Sequence, residues 1–411
     1  MIFEYYIKNK RILAVLLLGF SSGLPLALTG STLQAWFTES GISIITIGTL
    51  SLLGLPYVWK FVWAPLLDRY IPPFLSRRRG WVLLAQLGLC VTLFLMANLT
   101  PGREPGMIGI LALTIAFLSA TQDIAIDAYR TDILYANERG LGAAVFTFGY
   151  RFAMLISGGI ALIIADHWGW RILYQIMACL IAISLFSTYF SPNEDTPIVP
   201  KSFLKVIKAS YFNLIQREKI VLILLFVLLY KMGDALAISL MSTFLLKGLG
   251  FTLTDVGIAY KTGGLIAAIL GAFFAGILLI RMRLFQALLY FGLLQAFSNV
   301  FFVLLASTGK NYTLMFSSIF IESFCSGMST AAFVAFIMSL CDKRYSALQY
   351  ALLSALFSLA RVLAGPVASN LVTHYGWSYL FWCSFILCFP SLFILVLLRH
   401  KVGMNNAEVT V

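Results

Sequence analysis

The chain has 411 residues, 60% of them hydrophobic and 11% charged, with a mean hydropathy of +0.92. Soluble domains are nearer half apolar and a quarter charged, so this composition excludes a soluble enzyme, a disordered chain and a secreted disulfide scaffold. A net charge of +12 would suggest nucleic acid in a soluble protein, but in a membrane chain Lys and Arg gather on cytoplasmic loops, and no nucleic-acid partner is expected.

At about 20 residues per span, the chain reads as an all-α membrane protein of twelve transmembrane helices. They are expected over about 12–37, 44–67, 80–99, 107–130, 140–165, 170–190, 219–246, 252–280, 285–307, 312–340, 346–372 and 377–398. The first apolar run follows Lys8, Lys10 and Arg11 as a signal peptide would. It has no small-residue cleavage site and reaches Trp36, so it reads as a spanning helix. Residues 191–218 open with PNEDTP and form the longest connection. They divide the chain into an N-terminal bundle (1–190) and a C-terminal bundle (219–411) that ends in a short polar tail. Two readings stand for Ser202 to Ile215: an amphipathic helix on the membrane surface, or a solvated linker.

Orientation follows from the basic residues. One set of turns holds Arg103, Arg171, Lys247 and Lys310, four in all, while the turns and ends on the other side hold nineteen and the spans hold the remaining six of 29. The positive-inside rule then places both termini in the cytoplasm. The six cysteines lie in apolar segments without metal-ligand spacing and read as small core residues.

The two halves repeat each other. GISIITIG (Gly41 to Gly48) parallels GFTLTDVG (Gly250 to Gly257), ERGLGA (Glu138 to Ala143) parallels KRYSAL (Lys343 to Leu348), and HWGW (His167 to Trp170) parallels HYGW (His374 to Trp377), at offsets of 209, 205 and 207. Two pseudo-symmetric six-helix bundles in parallel repeat resemble the major facilitator fold, which binds its substrate midway between the halves. Major facilitators carry an Asp-Arg pair and an Arg-Arg pair, spaced by glycines, after helix 2, where they latch the halves in one state. Here Asp68 and Arg69 are followed by Arg77, Arg78 and Arg79, but the glycines are missing and Ile71-Pro72-Pro73 widens the turn. A conformational latch and plain positive-inside charge both remain as readings of these five residues.

A charge near the bilayer centre costs at least about 2.5–3.5 kcal/mol, so charges within spans are candidates for function. Lys60, Asp123, Asp127, Arg130, Arg151, Lys231, Asp234, Lys261, Glu322 and Arg361 lie in or near helices 2, 4, 5, 7, 8, 10 and 11. In the major facilitator arrangement helices 3, 6, 9 and 12 face lipid, and these carry no mid-span charge. Asp123 and Asp127 fall on one helix face beside Gln122, with Arg130 one turn on. Two carboxylates so placed repel, which suits a proton carrier; a structural ion pair is the other reading. Lys231 and Asp234, three apart, are expected to pair. Glu322 has no cation on its own helix, which leaves Lys261, Arg151 and Arg361 as candidate partners. The proton-coupling candidates are thus Asp123, Asp127, Asp234 and Glu322. Lys60, Lys261, Arg151, Arg361 and Lys231 would hold an anionic solute. Trp36, Tyr150 and Tyr230 have two readings, stacking on sugar rings or packing and interfacial belt residues, and Gln122 would supply an amide.

Four long stretches carry a closer resemblance: GFSSGLPLALTGSTLQAW (Gly19 to Trp36), SATQDIAIDAYRTDIL (Ser119 to Leu134), LYKMGDALAISLMSTFL (Leu229 to Leu245) and YALLSALFSLARVLAGPVAS (Tyr350 to Ser369). They resemble the AmpG-type muropeptide permeases from the first helix to the last. The resemblance implies a multi-pass importer of the bacterial inner membrane. It would take up N-acetylglucosaminyl-anhydro-N-acetylmuramic acid and its peptide-bearing forms from the periplasm for cell-wall recycling. The expected mechanism is alternating access in a monomer, with protons as the coupling ion and no cofactor. The best-known members carry two further C-terminal helices. The second reading is a major facilitator for another anionic solute, such as a peptide, a sugar acid or an acyl-CoA. An integral membrane enzyme would need a nucleophile–base set or metal ligands. The histidines, His167, His374 and His400, sit at two short turns and in the tail, and no H-E-x-x-H or paired C-x-x-C is present.

Overall fold

A computed structural model of the chain describes residues 9–135, 138–193, 216, 218–340 and 346–399; within these, the side chains of 65, 68, 139–141, 143, 346–348 and 351 are undescribed. The described residues fold as helices and connecting turns. Eleven helical runs are long and apolar enough to cross a membrane, and one of them, Ala144–Phe190, is 47 residues long. Gly169 breaks that run with φ 83° and ψ 163°, a region in which a Cβ is strained. The run is therefore two spans, and twelve are described in all.

In chain order the spans are α1 (Lys10–Glu39), α2 (Ile44–Val62), α3 (Arg77–Met96), α4 (Pro105–Ile133), α5 (139–168), α6 (170–190), α7 (Ile220–Gly248), α8 (Leu253–Arg281), α9 (Leu284–Thr308), α10 (Tyr312–Leu340), α11 (Ser346–Tyr375) and α12 (Trp377–Leu397). Three of them depart from the continuous helices expected. α1 breaks at Gly30 (φ −103°, ψ −110°). α2 is a series of short α and 3-10 turns and runs on as Ala64–Arg69, since Pro56 and Pro65 cannot supply the N–H that a continuous helix needs at those points. α7 is interrupted at Lys231 and again at Leu240.

The sequence repeat is written into the backbone. Gly41 and Gly250 share φ values of 75° and 73°, and Gly169 and Gly376 share 83° and 85°. Each pair lies at one of the repeat offsets, so the same local turn is used twice.

The chain forms two compact units, residues 1–42, 53–199 and 252–257 in one, and 43–52, 200–251 and 258–411 in the other. In the first unit, Ile12, Val15, Leu18, Ile126, Tyr129 and Ile133 pack α1 against α4. In the second, Phe226, Phe291, Phe333 and Leu395 join α7, α9, α10 and α12. Outward faces carry Ile110, Phe186, Phe273, Ile280 and Phe393, all more than half exposed, as lipid contact requires. The expected connection over 191–218 and the amphipathic reading of 202–215 fall almost wholly outside the described residues, as does the C-terminal tail.

Candidate functional site

In the first unit the polar groups of α1, α2, α3, α4 and α6 form two neighbouring sets. Asp127 Oδ1 lies 3.1 Å from Arg130 Nη2 and its Oδ2 3.8 Å from Lys60 Nζ, so this carboxylate sits between two cations. The Arg130 guanidinium also covers the Phe146 ring, 4.5 Å from its centroid. Asp123, one turn earlier, accepts a hydrogen bond from Ser22 of α1. Beside it, Gln122 donates from Nε2 to Ser21 Oγ (3.2 Å), Gln86 of α3 donates to the same oxygen (2.9 Å), and Thr188 of α6 donates to Gln86 Oε1 (2.8 Å). Gln122 is fully buried and its Oε1 has no partner among the described residues.

The remaining candidates of this unit are placed differently. Arg151 is exposed and makes no ion pair among the described residues. Tyr150 is half-buried, its ring 6.3 Å from that of Phe146. Trp36 is buried, stacked 5.5 Å from Trp170, with the tilted ring of Tyr174 at 5.0 Å. Its ring faces are taken up by packing inside the unit.

The basic turn after α2 is also engaged inside the first unit. Buried Arg78 pairs with Asp132 at the end of α4, at 3.5 Å. Buried Arg79 donates to the carbonyls of Thr188 and Tyr189 and to Asn193, which satisfies the last turn of α6. Arg69 lies 5.9 Å from the Tyr70 ring and is exposed. Arg77 opens α3, and the Asp68 side chain is not among those described.

In the second unit the charges converge. Lys231 occupies the break in α7, and its Nζ lies 3.2 Å from Asp234 Oδ2, 2.6 Å from Ser329 Oγ and 3.2 Å from the Ser326 carbonyl oxygen. The expected pairing of Lys231 with Asp234 is thus present. Asp234 also accepts from Ser326 Oγ (3.0 Å) and from Gln295 Nε2 of α9 (3.1 Å). The same Gln295 nitrogen donates to Glu322 Oε1 at 3.4 Å, and Ser323 donates to Glu322 Oε2 at 3.2 Å. Within the second unit Glu322 therefore faces Gln295 and Asp234, and not Lys261 or Arg361, two of the cations named from the sequence. Lys261 lies over the Tyr260 ring, 3.8 Å from its centroid. Arg361 is exposed and makes no ion pair among the described residues. Tyr230 donates its hydroxyl to Leu288 O (2.9 Å) and stacks 5.2 Å from Phe333, so it belongs to the core.

A protein that spans the membrane twelve times, with buried ionisable groups held on facing helices, has the construction of a transporter. Comparison with known proteins decides the lineage. The Major Facilitator Superfamily model matches residues 15–321 and 232–409. The anhydromuropeptide permease of Escherichia coli strain K12 is 48% identical over 98% of this chain and 82% of its own length. The chain belongs to the major facilitator superfamily, in the anhydromuropeptide permease family. Solved transporters share its fold. The nucleoside transporter NupG superposes with a TM-score of 0.73 at 14% identity, covering 95% of this chain and 98% of its own, and a D-xylose-proton symporter with 0.72 at 14%, covering 95% and 97%. The chain is a multi-pass membrane transporter and not an enzyme.

Within this family member, charge alone was an incomplete guide to the polar sites. α3, α6 and α9 carry no mid-span charge and were expected to face lipid. Each nevertheless turns neutral polar groups inward: Gln86, Thr188, Gln295 and Asn299 are all buried. A signal for Gln295 existed in the repeat, because it lies 209 residues after Gln86, the same offset that relates Gly41 to Gly250. Ser22, Asp132, Ser326 and Ser329 were also missed, since small or boundary polar residues are common in membrane helices and carry no distinctive pattern.

Proposed function

We propose that the chain imports anhydromuropeptides from the periplasm into the cytoplasm by proton-coupled alternating access. The observation that carries this reading is the 48% identity to an anhydromuropeptide permease over 98% of the chain. The chemistry of the charged residues supports it. The exposed guanidiniums of Arg151 and Arg361, on repeat-equivalent helices, make no ion pair among the described residues, and guanidinium is suited to a lactyl or peptide carboxylate. Lys60 and Lys261 add positive charge in each unit. Asp123, half-buried, and the buried acids Asp234 and Glu322 are suited to accept and release protons. On this reading the protein resides in the inner membrane as a monomer, with both termini in the cytoplasm, as its basic turns direct.

Uptake of radiolabelled N-acetylglucosaminyl-anhydro-N-acetylmuramic acid, with and without peptide, into proteoliposomes tests the proposal. Saturable uptake that increases with an inside-alkaline pH gradient is expected. Absence of muropeptide uptake, or competition by an unrelated peptide, sugar acid or acyl-CoA in preference to the disaccharide, overturns the substrate. Uptake indifferent to the gradient overturns the coupling.

A further inference from the structure

The cluster formed by α7, α9 and α10 contains an imbalance of charge that its geometry resolves in one way. Lys231, Asp234 and Glu322 are 2%, 6% and 3% exposed, and all lie within spans. Two carboxylates against one ammonium would leave a net negative charge in a low-dielectric interior, which is strongly unfavourable. Among the described residues, the remaining ionisable groups that face the pair add no cation: Tyr260 on α8, Cys325 on α10 and Cys388 on α12. Lys261, beside Tyr260, is turned over that residue's ring.

A second, independent observation comes from Gln295. Its Nε2 donates to both carboxyl groups, while its Oε1 is buried and has no partner among the described residues. A buried acceptor without a donor is costly. Asp234 and Glu322 also hydrogen-bond directly to each other, which two carboxyl groups can do only when one of them carries a proton. The Lys231 ammonium already occupies the cation position against Asp234, which leaves the pair a place for a proton and not for an alkali ion.

We infer that Asp234 and Glu322, bridged by Gln295, share one transferable proton, and that this pair is the coupling-ion site of the second unit. Lys231 holds Asp234 as the charged member, and Glu322 carries the proton. Loss of the proton leaves two carboxylates around Gln295 and alters the tie that joins α9 to α7 and α10. The interruption of α7 at Lys231 puts this tie where the helix has no continuous ladder of its own, in keeping with the use of broken helices at transporter ion sites.

The inference rests on the proton-coupled reading above for its transport test, but proton occupancy itself is measured without substrate. Infrared difference spectra of the purified protein across a pH titration should contain the carbonyl stretch of a protonated buried carboxyl. Glu322→Gln should remove it, and Gln295→Leu should shift it. In proteoliposomes Glu322→Gln should retain muropeptide exchange at equal pH on both sides, while gradient-driven accumulation falls to the equilibrium level. Retained exchange also shows that the variant is folded. The inference is overturned if the wild-type protein shows no such band, if Glu322→Gln leaves the band in place, or if the variant accumulates substrate like wild type. If the wild type fails to take up muropeptide but the band responds to Glu322→Gln, the substrate assignment fails and the proton site stands.

Discussion

Asp127 is held between Lys60 and Arg130, whereas Asp123, one turn earlier on the same helix, accepts from the Ser22 hydroxyl. Two carboxylates that the helical repeat makes neighbours thus have different surroundings. Asp127→Asn removes the counter-charge of two cations and leaves their positive field available to an anionic solute. The KM for muropeptide uptake should fall roughly threefold, the equivalent of about 0.7 kcal/mol from a half-exposed pair. Asp123→Asn keeps an acceptor for Ser22 and should not lower KM. Uptake kinetics of both variants at a fixed pH gradient check this, and an unchanged KM in Asp127→Asn would show that these cations do not reach the solute.

Arg151 and Arg361 are expected to contribute through charge-assisted hydrogen bonds to the solute. Such a bond contributes about 1.5–3 kcal/mol, so Arg151→Gln and Arg361→Gln should each raise KM about tenfold or more. Inhibition by a neutral sugar analogue should be unaffected. Equal loss of affinity for charged and neutral sugars would assign the arginines a structural role.

Arg79 ties the start of α3 to the end of α6 through its hydrogen bonds to Thr188, Tyr189 and Asn193. Arg79→Ala leaves these acceptors without their donor and should destabilise the protein by about 3 kcal/mol. Thermal unfolding of the detergent-solubilised protein measures this. Arg69→Ala, at an exposed position, should have little effect in the same assay.

Gly169 and Gly376 repeat one backbone conformation at equivalent turns. Alanine at either position meets no neighbouring atom, so any effect comes from the backbone itself. Each substitution should lower stability by about 1–3 kcal/mol. Similar decreases in Tm for the two variants are expected, and a large difference between them would show that the turns are not equivalent.

α8 and α10 pack through glycines: a Cβ at Gly271 would meet the Phe324 carbonyl, and one at Gly327 the Ala268 carbonyl. Small residues permit this close approach between membrane helices. Gly327→Leu forces the backbones apart, and overpacking of this kind should destabilise by about 1–3 kcal/mol. Because α10 carries Glu322, the same variant should also impair gradient-driven uptake. Wild-type stability in Gly327→Leu would mean that the helices adjust without loss.

Hydropathy determines the class of this protein and the number of its spans, and the spaced motif pairs determine its internal repeat. In a bilayer each residue's transfer energy depends chiefly on its own chemistry and depth, so these properties are read locally along the chain. The acidic and basic residues within spans were recognised for the same reason, as was the Lys231–Asp234 pair, whose members are three residues apart on one helix. What only the tertiary structure decided is which helix each group faces. Glu322 meets Gln295 and Asp234 because α9 is rotated to turn its neutral amides inward, and Trp36 is closed by Trp170 and Tyr174 in the same way. Rotation of a helix about its axis is set by the packing of many side chains from several neighbours, and no single segment contains that information.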